Sequence, residues 1–429
     1  CWANPKGTDL PLTIHNANLW LTPTAFNKVA TQLEKIGYSS DYVSDKMLMQ
    51  SQVKNQSILI SADAPAHKTL IIPSCNFMPS ETLDKIISLA HNGAVVIFQS
   101  FPKDVPGYYN VEERRKKLKE LIASVKLIDN GNSISEAKYG KGKIILSADI
   151  QKGLEYLNIH RETLIDAGLK FIRRAVAGGK YYYIVNHSAN EVNTMLPLRV
   201  LANTVLIMDP QTGTTGNARF IKKQNTTDVQ LQLKPGQAII LKTSASVNKP
   251  TGSSWKYFEP PGASIPLDGE WTLHFKEGGP YLPADKKMST LQPWTDFTDD
   301  TTTQSFSGTG VYSTDFNLSS KNAAGYLLQL GKVYESAKVF INDKEVGILW
   351  SIPFEAEVGK YLRQGKNTIR IEVANLMANR VRYMDRNKME WRKFHEINFV
   401  NINYKPFDAS NWKVEPSGLK GPVTITMLH

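Results

Sequence analysis

Between residues 10 and 175, apolar positions follow two alternating patterns. Phe26, Val29, Ala30, Leu33 and Ile36 repeat at helical spacing over 24–36, and Gly37 ends the stripe. Ser80, as an N-cap with Glu81 in the first turn, opens a second helix that reaches Ala90 and stops at Asn92-Gly93. Residues 111–124 and 161–173 predict two more helices. Continuous apolar runs at 67–72, 94–98 and 143–147 predict strands, with a shorter one at 38–43. Buried strands alternating with helices imply a parallel sheet flanked on both faces.

Beyond residue 176 the chain becomes β throughout. Residues 181–185, 205–208, 228–233 and 237–241 read as antiparallel strands, with turn signals at 209–213 and 234–236. Residues 271–275, 311–316, 326–330, 337–341, 368–373 and 423–427 form a second series of short β-rich runs, the pattern of a sandwich. The expected organisation is therefore multidomain. An α/β scaffold domain covers 1–176, a small antiparallel β domain 177–247, a Pro/Gly/Ser-rich linker 248–263, and a C-terminal β-sandwich 264–429.

One stretch breaks the sandwich rhythm. Residues 375–417 carry Arg380, Arg382, Tyr383, Asp385, Arg386, Glu390, Trp391, Asp408 and Trp412. A loop of that length inside a compact domain is functional or disordered, and its aromatic content argues for function.

Composition narrows the classes. The 41% apolar and 21% charged fractions suit an ordinary globular protein, and 429 residues exceed one core. No run of 18 apolar residues occurs, so no membrane-spanning helix is expected. The formal charge of +11 is scattered; its densest run, 114–119, is broken by flanking Glu112, Glu113 and Glu120. No nucleic-acid partner is expected, and an acidic polysaccharide suits a mild basic excess better. Two cysteines cannot form a disulfide framework. Cys1 reads either as a lipidated cysteine exposed by signal removal or as a proteolytic start, and the second is favoured. Nothing at the N-terminus reads as a signal peptide.

Candidate chemistry is sparse. Cys75 lies between a strand and a helix, but its neighbours Pro73, Ser74 and Asn76 include no glycine for a nucleophile turn, so an inert thiol is expected. The eight histidines share no metal-ligand spacing, and no zinc site is expected. Gly140-Lys141-Gly142 reads as a hairpin turn rather than a phosphate cradle, and no dinucleotide fingerprint is present. Paired carboxylates for glycosidic cleavage could come from Asp385, Glu390, Glu396 and Asp408, although each can equally be half of a surface ion pair. Trp350, Trp391 and Trp412 could stack on sugar rings or pack beneath the loop.

Several motifs together carry a resemblance. They are residues 265–271 (IPLDGEW), 306–312 (FSGTGVY), 330–339 (LGKVYESAKV), Ile341-Asn342 with Val346-Gly347, 365–367 (GKN) and 417–423 (SGLKGPV). They resemble the galactose-binding-like jelly-roll domain of family 2 glycosidases and, more closely, the C-terminal region of family 106 α-L-rhamnosidases. Residues 10–175 resemble a flavodoxin/glutamine-amidotransferase-like domain, on Gly37-Tyr38, Asp41-Tyr42, 70–73, 79–83 and 93–98.

The resemblance implies catalysis in an N-terminal (β/α)8 barrel, with calcium at the sugar in the rhamnosidases. Neither belongs to this chain, which would bind no cofactor and contain no catalytic pair. The chain would be the non-catalytic C-terminal portion of a rhamnosidase-like enzyme acting on plant-type polysaccharide, secreted or periplasmic in a bacterium, with a lipid anchor at Cys1 as an added reading. Its partners would be carbohydrate and its own barrel. Asp408, nine residues before Ser417, matches the aspartate that family 2 loops bring towards the active site. Asn379-Arg380 matches the family's Asn-Arg pair, although Val381-Arg382-Tyr383 departs from the commoner pattern. The sugar-binding residues so implied are Asn379, Arg380, Asp385, Trp391, Asp408 and Trp412. The alternatives are a stand-alone carbohydrate-binding protein and a purely bracing element; the mass of the native gene product and a Trp391 substitution discriminate among them.

Overall fold

The computed structural model describes residues 17–61, 63–246, 252–257, 262–393 and 405–428. Its first layered unit begins with the helix Ala25–Ile36. The Thr24 side chain accepts the Asn27 N–H, Gly37 takes φ +92° as a left-handed C-cap, and Val29 and Leu33 face inward. No strand forms at 38–43: that segment joins the Gly37 cap to Ser44, which caps the next helix, Asp45–Gln50. The helix Ser80–His91 forms as expected, but Pro79 occupies the cap position and Ser80 is its first residue, bonding Glu81 at 3.0 Å.

Strands Leu70–Ile72, Val95–Phe98 and Gly142–Ser147 pair in parallel. The sheet is mixed rather than parallel throughout. The Gly140-Lys141 turn folds Ile134–Tyr139 antiparallel against Gly142–Ser147, and Ile128–Asp129 continues that edge. The helix Val111–Ser124 follows its predicted bounds. Its basic run is answered locally by Arg115 on Asp104 and Glu112 and by Lys117 on Asp84.

The helix expected over 161–173 does not form. A short 3-10 turn, Thr163–Ala167, ends at Gly168 in the left-handed region, and a strand, Leu169–Val176, follows. Leu169 is buried and Phe171 and Arg173 are half-buried, while Lys170, Ile172 and Arg174 are exposed, the two-residue period of a strand. This strand pairs with Gly179–Asn186, so one hairpin straddles 176/177, where the sequence places a domain boundary. Together with Thr204–Met208, Thr215–Asn217 and Ala238–Ser244 it forms a five-stranded sheet. A three-stranded sheet, built on Val192–Leu198 and Thr227–Leu233, shares its core. Trp255 and Tyr257, from the expected linker, pack on that core, and the Trp255 N–H donates to the Asn217 carbonyl at 2.8 Å.

The C-terminal third is two antiparallel sheets over one core. The larger sheet has six strands and includes Trp271–Gly279, Ser307–Leu318, Gly365–Ala374, Ser336–Ile341 and Lys344–Leu349. The smaller has four strands, centred on Gly325–Gln329 and Thr424–Leu428. Trp271, Trp294, Phe275, Phe306 and Tyr312 are almost wholly enclosed between them. Every β run read from this part of the sequence lies on a strand.

Candidate functional site

The 375–417 segment is not a loop throughout. Residues Ala378–Arg386 form a helix with Asn379, Arg380 and Met384 buried. Asn379 Nδ2 donates to the Glu415 carbonyl (2.6 Å) and Ser417 Oγ (3.1 Å), and Asn379 Oδ1 accepts the Glu415 N–H (2.9 Å). Asn379 thus fastens the returning chain to the helix. Arg380 is 7% exposed and lies 5.3 Å from the centroid of the Tyr383 ring. Both are buried, outside the lining of the cleft described below, and Asn379 holds the stem of the segment.

The opposite face of the helix carries Arg382, Asp385 and Arg386, spaced i, i+3 and i+4. Asp385 is the hub. Its Oδ1 accepts from Trp391 Nε1 (2.8 Å) and Arg392 (2.9 Å), and its Oδ2 accepts the Ala409 N–H (2.8 Å). Burial works to raise its pKa, but the Ala409 N–H, the Trp391 indole and Arg392 together hold it below the usual carboxylate range. One carboxylate therefore ties the helix to the 391–392 and 407–409 stretches.

Asp408 follows from that tie. It is exposed, and its Oδ1 accepts the Ser410 N–H at 2.8 Å. That bond, with further help from the Ser410 side chain and Arg392, lowers its pKa. Phe407 stands between two tryptophans, edge-on to Trp391 at 6.0 Å and to Trp412 at 5.5 Å. Arg382 Nε donates to the Trp412 carbonyl at 2.7 Å.

These contacts open a polar cleft of about 600 Å³, lined by Arg382, Asp385, Arg386, Lys388, Asp408, Ser410, Asn411 and Trp412. Three of the six expected site residues, Asp385, Asp408 and Trp412, line it. Trp391 is half-buried beside it, with its indole N–H on Asp385. Trp412 keeps 44% of its surface exposed. Trp350 is exposed but lies outside the cleft lining, Glu390 is exposed on the surface, and Glu396 and His395 fall outside the described residues. Arg382, Arg386, Lys388, Ser410 and Asn411 were not singled out from sequence as site residues; the helical spacing of 382, 385 and 386 was the available signal.

Among the described residues no three His, Cys, Asp or Glu side chains gather closely enough to hold a metal ion. No helix among them is long and apolar enough to cross a membrane.

The family described as alpha-L-rhamnosidase, glycoside hydrolase family 106, matches residues 16–222. The sugar binding domain of glycosyl hydrolases family 2 matches residues 261–396. This corrects the expected placement: the family 106 likeness sits on the α/β and small β region, and the family 2 likeness on the two-sheet unit. The rhamnosidase from Novosphingobium sp. PP1Y superposes with a TM-score of 0.68 and 26% identity over 91% of this chain, which spans 36% of that enzyme. A protein of Formosa agariphila, provisionally named a beta-glucuronidase, is 32% identical over 142 residues, 29% of this chain and 12% of that protein. A beta-glucuronidase from Ruminococcus gnavus aligns with 41% of this chain and 31% of its own at 19% identity and a TM-score of 0.28. The chain is thus related to glycoside hydrolases of the rhamnosidase kind and includes a region similar to a sugar-binding domain.

Proposed function

We propose that this chain is the non-catalytic, carbohydrate-facing portion of an α-L-rhamnosidase-type glycosidase, and that its cleft at 382–412 meets a sugar at the margin of a catalytic barrel supplied N-terminally. The observation that carries this reading is the geometry of the cleft, which brings the exposed Asp408 and Trp412 together with Arg382, Arg386 and Lys388. Glycosidic cleavage needs one carboxyl group that stays protonated near neutral pH to act as the acid. Asp385 and Asp408 are both held below the usual carboxylate range, by donors that favour the charged form. That state suits the exposed Asp408 as an acceptor for sugar hydroxyls, while Asp385, with both oxygens engaged, fixes the cleft wall. Trp412, 44% exposed, supplies an indole ring beside them, and Arg382, Arg386 and Lys388 supply donors.

The finer assignments follow the same reading. The two-sheet unit would be a galactose-binding-like jelly roll. The α/β unit would be an amidotransferase-like scaffold without that chemistry, since burial and the nearby Asp45 raise the Cys75 thiol pKa. The division between the first two units would fall before Leu169, because the strand starting there belongs to the five-stranded sheet. Substrate would be plant-type polysaccharide, in a secreted or periplasmic setting. Calcium would belong to the barrel, and no step is assigned to it here.

Calorimetric titration with a rhamnose-terminated oligosaccharide tests the site. Trp412→Ala should weaken binding by roughly 1–3 kcal/mol, the value of one stacked aromatic contact, with an unchanged melting curve. Equal affinity in wild type and variant would refute the cleft as a sugar site.

A further inference from the structure

A larger cleft, about 2600 Å³, lies between the α/β unit and the strand Leu169–Val176. Ordinary small-molecule sites occupy about 300–1,000 Å³, so this one has room for an extended ligand. One part of its wall is cationic. Arg173, Lys180 and Arg199 come from the β side, and Lys68 comes from the exposed approach to strand Leu70–Ile72.

Among the described residues, Lys180 has no carboxylate in salt-bridge contact. Glu162, 1% exposed, is the carboxylate behind the cluster, and its oxygens are already engaged. Oε1 accepts from Arg173 (2.6 Å) and the Tyr182 hydroxyl (3.1 Å), and Oε2 accepts the Arg199 N–H (2.9 Å). Lys180 is half-buried, and among the described residues its Nζ donates to a single, neutral acceptor, the Arg199 carbonyl, at 3.2 Å. Arg199 Nε is buried without a hydrogen-bond partner among the described residues. Glu34, Asp41 and Asp45 also line the cleft, and Asp41 is paired with His67 at 2.8 Å. The influences on Lys180 are burial, Arg173 and Lys68, which lower its pKa, and Glu162, which opposes them. Among the described residues the Lys180 ammonium thus forms no salt bridge, and Glu162, the one charge that opposes the burial and the cations around it, is engaged by Arg173, Tyr182 and the Arg199 N–H.

We propose that Lys180, Arg173 and Arg199, with Lys68 at the rim, form a subsite for an anionic group, a carboxylate or sulfate, carried on a saccharide. A carboxylate or sulfate can accept from Lys180 and from the Arg199 guanidinium together, supplying Lys180 with a salt-bridge partner. The choice of a saccharide over an acidic protein segment rests on the glycosidase reading above; the anion subsite itself does not.

The test is calorimetry on the full chain, with an oligouronate, its methyl-esterified counterpart and inorganic sulfate as probes. The oligouronate should bind, the ester at least tenfold more weakly, and rising salt should weaken the acid form. Lys180→Met should cut oligouronate affinity at least tenfold, Lys180→Arg should largely preserve it, and Trp412→Ala should leave it unchanged. A melting curve for each variant separates lost folding from lost binding; Lys68→Ala, at an exposed position, gives a second, milder decrease. Equal binding of acid and ester, or full affinity in Lys180→Met, overturns the subsite. Binding of sulfate without the oligouronate overturns the saccharide and points to an acidic protein segment instead. Loss of rhamnoside binding in Trp412→Ala with oligouronate binding intact reads the two sites separately.

Discussion

Asp385 shows how one side chain can organise a surface. Its three donors come from two further stretches of chain, 391–392 and 409, so its removal should be felt as loosening of the whole segment. Asp385→Ala leaves the Ala409 N–H and the Trp391 indole without their acceptor, and each unsatisfied donor costs about 1–3 kcal/mol when water cannot replace the bond. The expected net loss in a urea melt is roughly 1–3 kcal/mol, together with a change in tryptophan emission as the Trp391–Phe407–Trp412 stack relaxes. An unchanged midpoint and spectrum would mean that Asp385 does not hold the segment. At this scale the sequence was informative about membership and silent about direction. Asp385, Asp408 and Trp412 could be grouped because charge and aromatics crowd the segment. Asn379 and Arg380 look equally polar, yet the helix turns them inward. Which side of a nine-residue helix faces the core depends on packing partners 36 to 38 residues away, Glu415 and Ser417, and no local pattern encodes that.

Single elements were most legible where period and punctuation agreed. Thr24, the Val29/Leu33 stripe and Gly37 all point to the same helix, and it forms. The 161–173 region offered a helix-like stripe, but Gly168 interrupts it, and pairing with Gly179–Asn186 repays the strand with a full ladder of hydrogen bonds. Tertiary pairing of this kind cannot be read from one segment alone. A short helix in the two-sheet unit, Thr301–Gln304, provides a clean test of local electrostatics. Asp300 caps it, bonding the Thr303 N–H and hydroxyl, and its other partner is Lys286 at 2.5 Å. Burial opposes its ionisation, but Lys286 and Thr303 outweigh it and bring its pKa down from 3.8 to about 2. A depressed carboxylate stabilises the fold fully above its unfolded pKa, and the contribution fades as pH falls through the folded value. Asp300→Asn, which keeps an oxygen for the cap but loses the charge facing Lys286, should therefore lower stability near neutral pH by about 1 kcal/mol, the value of a partly exposed ion pair. Wild type and variant should converge as pH drops from about 4 towards 2, the span between those pKa values. A difference that persists unchanged at pH 2 would assign the effect to packing instead.

For the whole molecule, three cores and their order were visible in the switch from helical to alternating periodicity. The way they lie against one another was not, because the contacts that set it join residues far apart in sequence. The reading of the chain as non-catalytic makes a simple prediction at this scale. The isolated chain should show no turnover of an aryl α-L-rhamnoside above the uncatalysed rate, at any pH between 5 and 8, in a discontinuous assay sensitive to about one turnover per hour. Turnover abolished by Asp385→Asn or Asp408→Asn would overturn it and place the chemistry in the cleft.

The contact between the small β unit and the two-sheet unit has a consequence for long ligands. Lys234 reaches both oxygens of Glu355 at 2.9 and 2.7 Å, and Glu355 also accepts from Gln329. Beside them Gly236, at φ +80°, approaches Ile352 so closely that a Cβ there would fall 2.5 Å from its Cγ1. Two units that a Pro/Gly-rich stretch would otherwise let wander are clasped at this point. A polymer engaged by the cationic cluster at one end and the Asp385 cleft at the other would meet a ruler of fixed length. Its second contact would then form at an effective concentration set by that spacing instead of by a swinging tether. If both proposed sites hold sugar, chain length as well as sugar identity would become a basis for selection, and widening position 236 would blur that selection while leaving each site intact.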